Sequence, residues 1–112
     1  NNPNSIIGCD IDPKCSQLTF TSESIKVVVG NAQDKNIQHE VQKISPNFDI
    51  ISDDGSHLSN DIIHTFFMYF PLLNNGGTYI VEDLHASYWQ EFDGGIFKPN
   101  SSINFFKRLV DV

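Results

Sequence analysis

Two apolar segments in the middle of the chain end in the same way, and that repetition limits the folds open to it. Phe48-Asp49-Ile50-Ile51-Ser52 reads as a short buried strand and runs into Asp53-Asp54-Gly55-Ser56-His57. Thr78-Tyr79-Ile80-Val81 reads the same way and runs into Glu82-Asp83. In an open parallel sheet, ligands bind beyond the carboxyl ends of the strands. If the two strands are neighbours, four carboxylates and a histidine meet at one edge. Such crowding opposes folding unless a cation or a reaction uses it.

The flanking sequence supplies helices and further strands. Ser5 to Asp10 reads as a strand ending on an acid, and Pro13 suits the first turn of a short helix through Phe20. Ser24 to Val29 is rich in β-branched residues and closes at Gly30, a strand pattern. Asp34 can cap a helix in which Ile37, Val41 and Ile44 share one face, ended by Pro46. Ser59 can cap another, in which Ile62, Ile63, Phe66, Phe67 and Phe70 form a wide apolar face. Pro71 ends that helix, and Asn74-Asn75-Gly76-Gly77 reads as a turn. Asp83 to Pro99 reads as a long loop, a class usually functional or mobile. Ser101 or Ser102 caps a last helix with Phe105, Phe106, Leu109 and Val110 on its buried side. Strands alternating with helices predict an α/β fold: a doubly wound, Rossmann-like, mostly parallel sheet covered on both faces.

Size and charge narrow the function classes. The 112 residues suffice for one domain with a modest core. Formal charge is -7 with seven Lys and Arg and no basic stripe, so nucleic acid is excluded as an expected partner. The acidity fits a bound divalent cation, and equally an ordinary acidic surface. No apolar run approaches the ~18 residues of a membrane span, so no membrane partner is expected and the location read is cytoplasmic. Cys9 and Cys15 read as a reduced pair, since a zinc site needs more ligands at tighter spacing.

Neighbouring strands lie ~4.8 Å apart, so side chains just past their ends can share one ion. Asp54, Glu82 and Asp83 offer hard oxygens that suit magnesium, with calcium as an alternative; zinc prefers nitrogen or sulfur. Each acid alone reads as a helix cap or a solvated carboxylate, and it is their pairing at matched strand ends that points to a metal. His57 could bind that metal or act as a base, since imidazole exchanges protons near neutral pH; alone, it reads as a surface histidine. His39 and His64 read as structural, whereas His85 lies in the long loop beside the site. Asp10 is placed to bond a ribose diol. The Gly30 to Asp34 stretch, with Asn31, Ala32 and Gln33, could frame an adenine. Tyr88 and Trp89 could stack on a substrate ring or simply pack.

These segments carry a family resemblance. Gly8-Cys9-Asp10-Ile11-Asp12-Pro13, Gly30-Asn31-Ala32-Gln33-Asp34, Phe48-Asp49-Ile50-Ile51 and Asp53-Asp54-Gly55-Ser56-His57 resemble class I S-adenosylmethionine-dependent methyltransferases. The Asp-Asp-Gly-Ser-His string followed by Gly76-Gly77-Thr78-Tyr79-Ile80-Val81-Glu82-Asp83-Leu84-His85-Ala86-Ser87-Tyr88-Trp89 narrows this. It is similar to the magnesium-dependent deoxysugar O-methyltransferases of macrolide and polyketide biosynthesis. The resemblance implies S-adenosylmethionine and Mg2+ as cofactors and a sugar-bearing small molecule as methyl acceptor. It implies that Asp54, Glu82 and Asp83 hold the metal, that His57 is the general base, and that His85, Tyr88 and Trp89 lie near the substrate. Asp10 would hold the ribose, Asn31, Ala32 and Gln33 would surround the adenine, and Asp53 would lie near the methionine end.

The family fold begins with a strand and a Gly-rich loop, and nothing before Ile6 matches either. Nothing after the last helix matches its final two strands. In that fold the absent first strand lies between the second-strand position and the Asp53 strand. Residues 1–112 are therefore expected to be part of one methyltransferase domain, completed by another chain or segment or joined in a homo-oligomer. The alternative is a non-catalytic nucleoside-binding or interaction remnant of the same fold. A phosphoacceptor receiver domain fits less well, lacking an acid pair after the first strand and a lysine after the last.

Overall fold

A computed structural model describes residues 3–110. The chain divides into two units, Asn1–Asn47 and Phe48–Val112, and each holds a parallel strand pair. The α/β class with parallel strands and intervening helices is the one read from the sequence.

In the first unit β1 (Ile6–Asp10) pairs with β2 (Ile25–Val29), and Asp10 stands level with Val29. The connection contains a 3-10 turn, Pro13–Gln17, capped by Asp12, whose side chain accepts from the Lys14 N–H. The helix expected through Phe20 stops at Gln17. Thr19, Phe20 and Thr21 lose rotamer freedom in a helix and do not extend it. Then α1 (Lys35–Ile44) lies against β2 with Val41 buried and Ile37 half-buried, while Ile44 is largely exposed. Asp34 occupies the cap position without a side-chain cap bond.

In the second unit β3 (Phe48–Asp53) pairs with β4 (Leu73–Val81), and α2 (Ser59–Tyr69) connects them. The two carboxylate-tipped strands are thus direct neighbours. The Asn74 to Gly77 turn is not separate from the strand. Phe48 faces Leu73, but Ile50 faces Thr78, so the extra residues bulge from the ladder, with Gly76 at φ +80. Leu58, not Ser59, is the cap residue of α2, because the Ser59 hydroxyl is engaged elsewhere.

Ile62, Tyr69 and Ala86 are the buried apolar residues of this unit, and a half-buried aromatic cluster extends its apolar interior. Phe66 of α2 is ringed by Phe67, Phe70, Tyr79, Phe105 and Phe106, with centroids 4.7 to 5.9 Å away. Edge-to-face pairs of this kind add to the stabilisation from burial. Phe105 and Phe106 belong to α3 (Ser102–Val110), which packs on α2. The buried side expected for α3 is only partly covered: Leu109 is 46% and Val110 83% exposed. Leu109 instead walls an open apolar groove shared with Phe70, Tyr79 and Phe106. Phe66→Ala should destabilise the chain by about 2–3 kcal/mol, below the largest core values because Phe66 is only half-buried. A urea melt with an unchanged midpoint would show that the cluster is not part of that interior. No helix among the described residues is long and apolar enough to cross a membrane.

Candidate metal centre

β3 and β4 finish side by side. Asp53 stands opposite Val81, and the Glu82 N–H extends the ladder by donating to the Asp53 carbonyl (2.9 Å). Asp54 and Asp83 therefore leave the sheet from adjacent strand ends, and His57 turns back toward both. One ligand atom each from Asp54, His57 and Asp83 lies within 4.8 Å of the other two. His57 Nε2 is 3.8 Å from Asp54 Oδ1 and 3.9 Å from Asp83 Oδ2. His85 Nδ1 lies 3.8 Å from the other Asp83 oxygen.

The backbone is strained where these groups meet. His57 (φ 60) and Asp83 (φ 48) both adopt the left-handed conformation, which disfavours side chains other than glycine. Each such residue costs of order 1–3 kcal/mol and persists only where its surroundings enforce it. Around His57 the enforcement is local: the Ser56 hydroxyl donates to Asp61 (2.6 Å) and accepts from the Leu58 N–H (3.3 Å). After Asp83 its carbonyl accepts from the Ala86 N–H (2.9 Å), opening a 3-10 turn, Leu84–Tyr88. A second turn, Gln90–Phe92, follows, so the segment read as a structureless loop is half ordered by short-range bonds.

The donor set fits a hard divalent cation. Asp54 and Asp83 offer carboxylate oxygens, and their side chains are 62% and 59% exposed, leaving space for waters or substrate oxygens. Among the sequence-read ligands, Glu82 stands apart from this trio: its carboxylate accepts from the Ser52 hydroxyl (2.8 Å).

Asp53 points inward. Its Oδ2 is buried without a partner, while Oδ1 accepts from the Gly55 N–H (3.3 Å). Burial pushes its pKa up, against the pull of the Gly55 N–H and of His57. The folded state therefore holds this proton more tightly than the unfolded one. The resulting destabilisation is absent at pH below the unfolded value and grows as pH rises through the folded one. In chelator, Asp53→Asn should raise Tm by a few degrees at pH 7 and by almost nothing at pH 3. An equal gain at both pH values would show that charge is not the cause.

A wall of rings flanks the trio. Phe92 lies 6.4 Å from His57 and 6.1 Å from Trp89, and Trp89 meets His85 edge-on at 5.2 Å. Phe92 carries no sequence signal beyond being aromatic, and its place beside His57 was not foreseen. Trp89 is 49% exposed, so one side packs and the other is open. Tyr88 meets Lys107, whose Nζ is 5.9 Å from the ring centroid.

The other sequence-read residues lie in the first unit, at its own pair of strand ends. Asp10 accepts from the Asp12 N–H through Oδ1 (2.8 Å) and from the Gly30 N–H through its carbonyl (2.8 Å). Asn31 Oδ1 accepts from the Gln33 N–H (3.0 Å), and its carbonyl from the Asp34 N–H (2.9 Å). Ala32 and Gln33 are half-buried within that turn. Cys9 and Cys15 are free thiols.

No protein-family profile matches the chain. Individual proteins do. It is 42% identical over 86 residues to the 8-demethyl-8-alpha-L-rhamnosyl tetracenomycin-C 2'-O-methyltransferase of Streptomyces olivaceus, covering 76% of this chain and 22% of that protein. It is 36% identical over 110 residues to the demethylmacrocin O-methyltransferase of Streptomyces fradiae, covering 95% and 27%. Among solved structures, the MycE methyltransferase of the mycinamycin biosynthetic pathway, in complex with Mg and SAH, superposes with a TM-score of 0.80 at 30% identity. That match covers 96% of this chain and 30% of the other. A complex of the same enzyme that also holds mycinamycin VI gives 0.79 at 29% identity, covering 96% and 29%. The chain spans about a quarter of the length of the curated relatives it matches. The resemblance drawn from the motifs is borne out in both sequence and fold.

Proposed function

We propose that this chain, similar to one stretch of the rhamnosyl tetracenomycin-C and demethylmacrocin O-methyltransferases, forms the metal-binding part of an S-adenosylmethionine-dependent O-methyltransferase domain. The acceptor is a hydroxyl on a glycosylated small molecule, and the enzyme works in the cytoplasm. The observation that carries this reading is the convergence of Asp54, His57 and Asp83 at the paired ends of β3 and β4. It occurs in a chain whose structural neighbour is a complex with Mg and SAH.

In this reading Asp54, Glu82 and Asp83 hold magnesium. Its charge favours the ionised form of a nearby acceptor hydroxyl. His57 Nε2, already facing both aspartates, accepts the hydroxyl proton. Asp10 bonds the ribose of the methyl donor, Asn31, Ala32 and Gln33 enclose its adenine, and Asp53 faces its methionine end. His85 and Trp89, with Tyr88 beside them, meet the acceptor. Most of the rate then comes from alignment of hydroxyl and methyl group. Residues 1–112 form part of one domain in this scheme, completed by another segment or a second copy.

Calorimetric titration of the chain with Mg2+ and with S-adenosylhomocysteine tests the binding half. Methyl transfer to a glycosylated acceptor should disappear in EDTA and fall about 100-fold or more in His57→Ala, the scale of a lost general base. Turnover that survives both changes rules the mechanism out. Glu82→Gln separates the ligands: unchanged metal affinity there would restrict the carboxylate ligands to Asp54 and Asp83.

A further inference from the structure

Four serines are the most deeply buried side chains among the described residues: Ser59, Ser87, Ser101 and Ser102, each 0% or 1% exposed. A buried hydroxyl opposes folding unless it is bonded, so alanine packs more cheaply only where no bond is made. Three of the four bond to one another. Ser102 donates its backbone N–H to Ser59 Oγ (3.0 Å), so Ser59 satisfies a free donor in the first turn of α3. The Ser102 hydroxyl lies 3.4 Å from that of Ser59 and closer still to that of Ser87. The knot joins three segments of one unit. Ser59 opens α2 two residues after His57, Ser87 sits in the 3-10 turn four residues after Asp83, and Ser102 opens α3.

We propose that Ser59, Ser87 and Ser102 form a hydroxyl latch that fixes the Asp83 loop against the start of α2 and so holds the Asp83 carboxylate opposite His57. This rests on the metal-binding reading above. The three are positioning residues, and none is placed among the ligands. Two strained residues, His57 and Asp83, stand just upstream of two of its arms. The Asp83 backbone is held locally by the Glu82 N–H on Asp53 before it and the Ala86 N–H after it, and the latch adds the tie from its turn to the starts of α2 and α3. Ser101 serves as an internal control: it is as buried as Ser102 and adjacent to it, yet its hydroxyl has no partner.

The test uses the chain with Mn2+ alone as probe and has two arms. Hydrogen–deuterium exchange follows the loop amides of Ala86, Trp89, Gly94 and Gly95 against those of the β3–β4 ladder. Electron paramagnetic resonance follows the affinity and line shape of bound Mn2+. Ser102→Ala leaves the Ser87 hydroxyl buried and unpaired. It should speed exchange of the loop amides about tenfold while the ladder stays protected. It should also weaken Mn2+ by about tenfold, the scale of a lost outer partner at a metal site. Ser101→Ala should change neither. Ser87→Thr, which keeps the hydroxyl, should retain more Mn2+ affinity than Ser87→Ala; this pair decides the matter if Ser102→Ala does not fold. Loop amides unmoved by Ser102→Ala, or an equal effect from Ser101→Ala, would overturn the latch. Wild-type chain that takes up no Mn2+ would overturn the metal reading instead, and the exchange arm would still decide the latch.

Discussion

Asp83→Asn should cut the affinity of the chain for Mn2+ by about 100-fold or more, while leaving the fold intact. Loss of an outer partner at a metal site already costs about 10–100-fold, and Asp83 offers an oxygen directly to the converged trio. Asparagine is the informative substitution because Asp83 sits at φ 48. Asn tolerates the left-handed conformation as Asp does, so the backbone cost does not change. The nearby carboxylate of Asp54 loses a like-charged neighbour, so the metal-free melting temperature should hold or rise. Asp83→Ala would confound the two effects by adding backbone strain. The neighbouring His85→Ala removes a group 3.8 Å from the same carboxylate and should change affinity only a few-fold. A titration followed by paramagnetic resonance, with a circular dichroism melt of each variant, separates these outcomes. Mn2+ bound equally well by Asp83→Asn and wild type would mean that the two strand tips do not share an ion.

What could be read in advance was whatever local chemistry decides. A β-branched run closing on Gly30 gave β2, and apolar runs closing on acids gave β3 and the tip of β4. Apolar residues at helical spacing gave α1, α2 and α3, and paired carboxylates gave two of the three converging groups. What could not be read depended on contacts between distant segments. The Asn74 to Gly77 stretch has turn composition, yet it lies within β4 because β3 pairs with the strand on both sides of it. Ser59 has cap chemistry, yet its hydroxyl meets Ser102, forty-three residues away, and Leu58 takes the cap position. The Asp83 to Pro99 stretch lacks periodicity, and its order comes from 3-10 turns that periodicity does not reveal. Glu82 shows what side-chain placement adds within the site: its carboxylate accepts from Ser52, while Asp83 turns at φ 48 to face His57, and adjacency in the sequence does not reveal that difference.

Gly94→Ala should be among the most damaging single substitutions in the chain, at about 3 kcal/mol or more. Gly94 is buried where the loop returns past its own beginning. Its N–H donates to the Trp89 carbonyl (2.9 Å), and Gly95 donates to the Ser87 carbonyl (2.9 Å). A Cβ at Gly94 would overlap the Ser87 carbonyl group and lie 2.7 Å from the Trp89 oxygen. These are backbone atoms, so no side chain can swing aside to relieve the overlap. Ser87 itself is held by Ser102, which prevents the turn from giving way without breaking buried hydroxyl bonds. The damage should therefore spread in a set order, from the Leu84–Tyr88 turn to Asp83, and from there to the cation. Mn2+ affinity should fall together with stability, and fluorescence of the lone Trp89 should shift to the red as its packed side is released. By contrast, Gly76→Ala meets no atom within 4 Å and is disfavoured only by its positive φ, so it should cost about 1 kcal/mol and leave the metal untouched. Equal losses from the two glycine variants would mean that the close passage of the loop at Ser87 does not support the site.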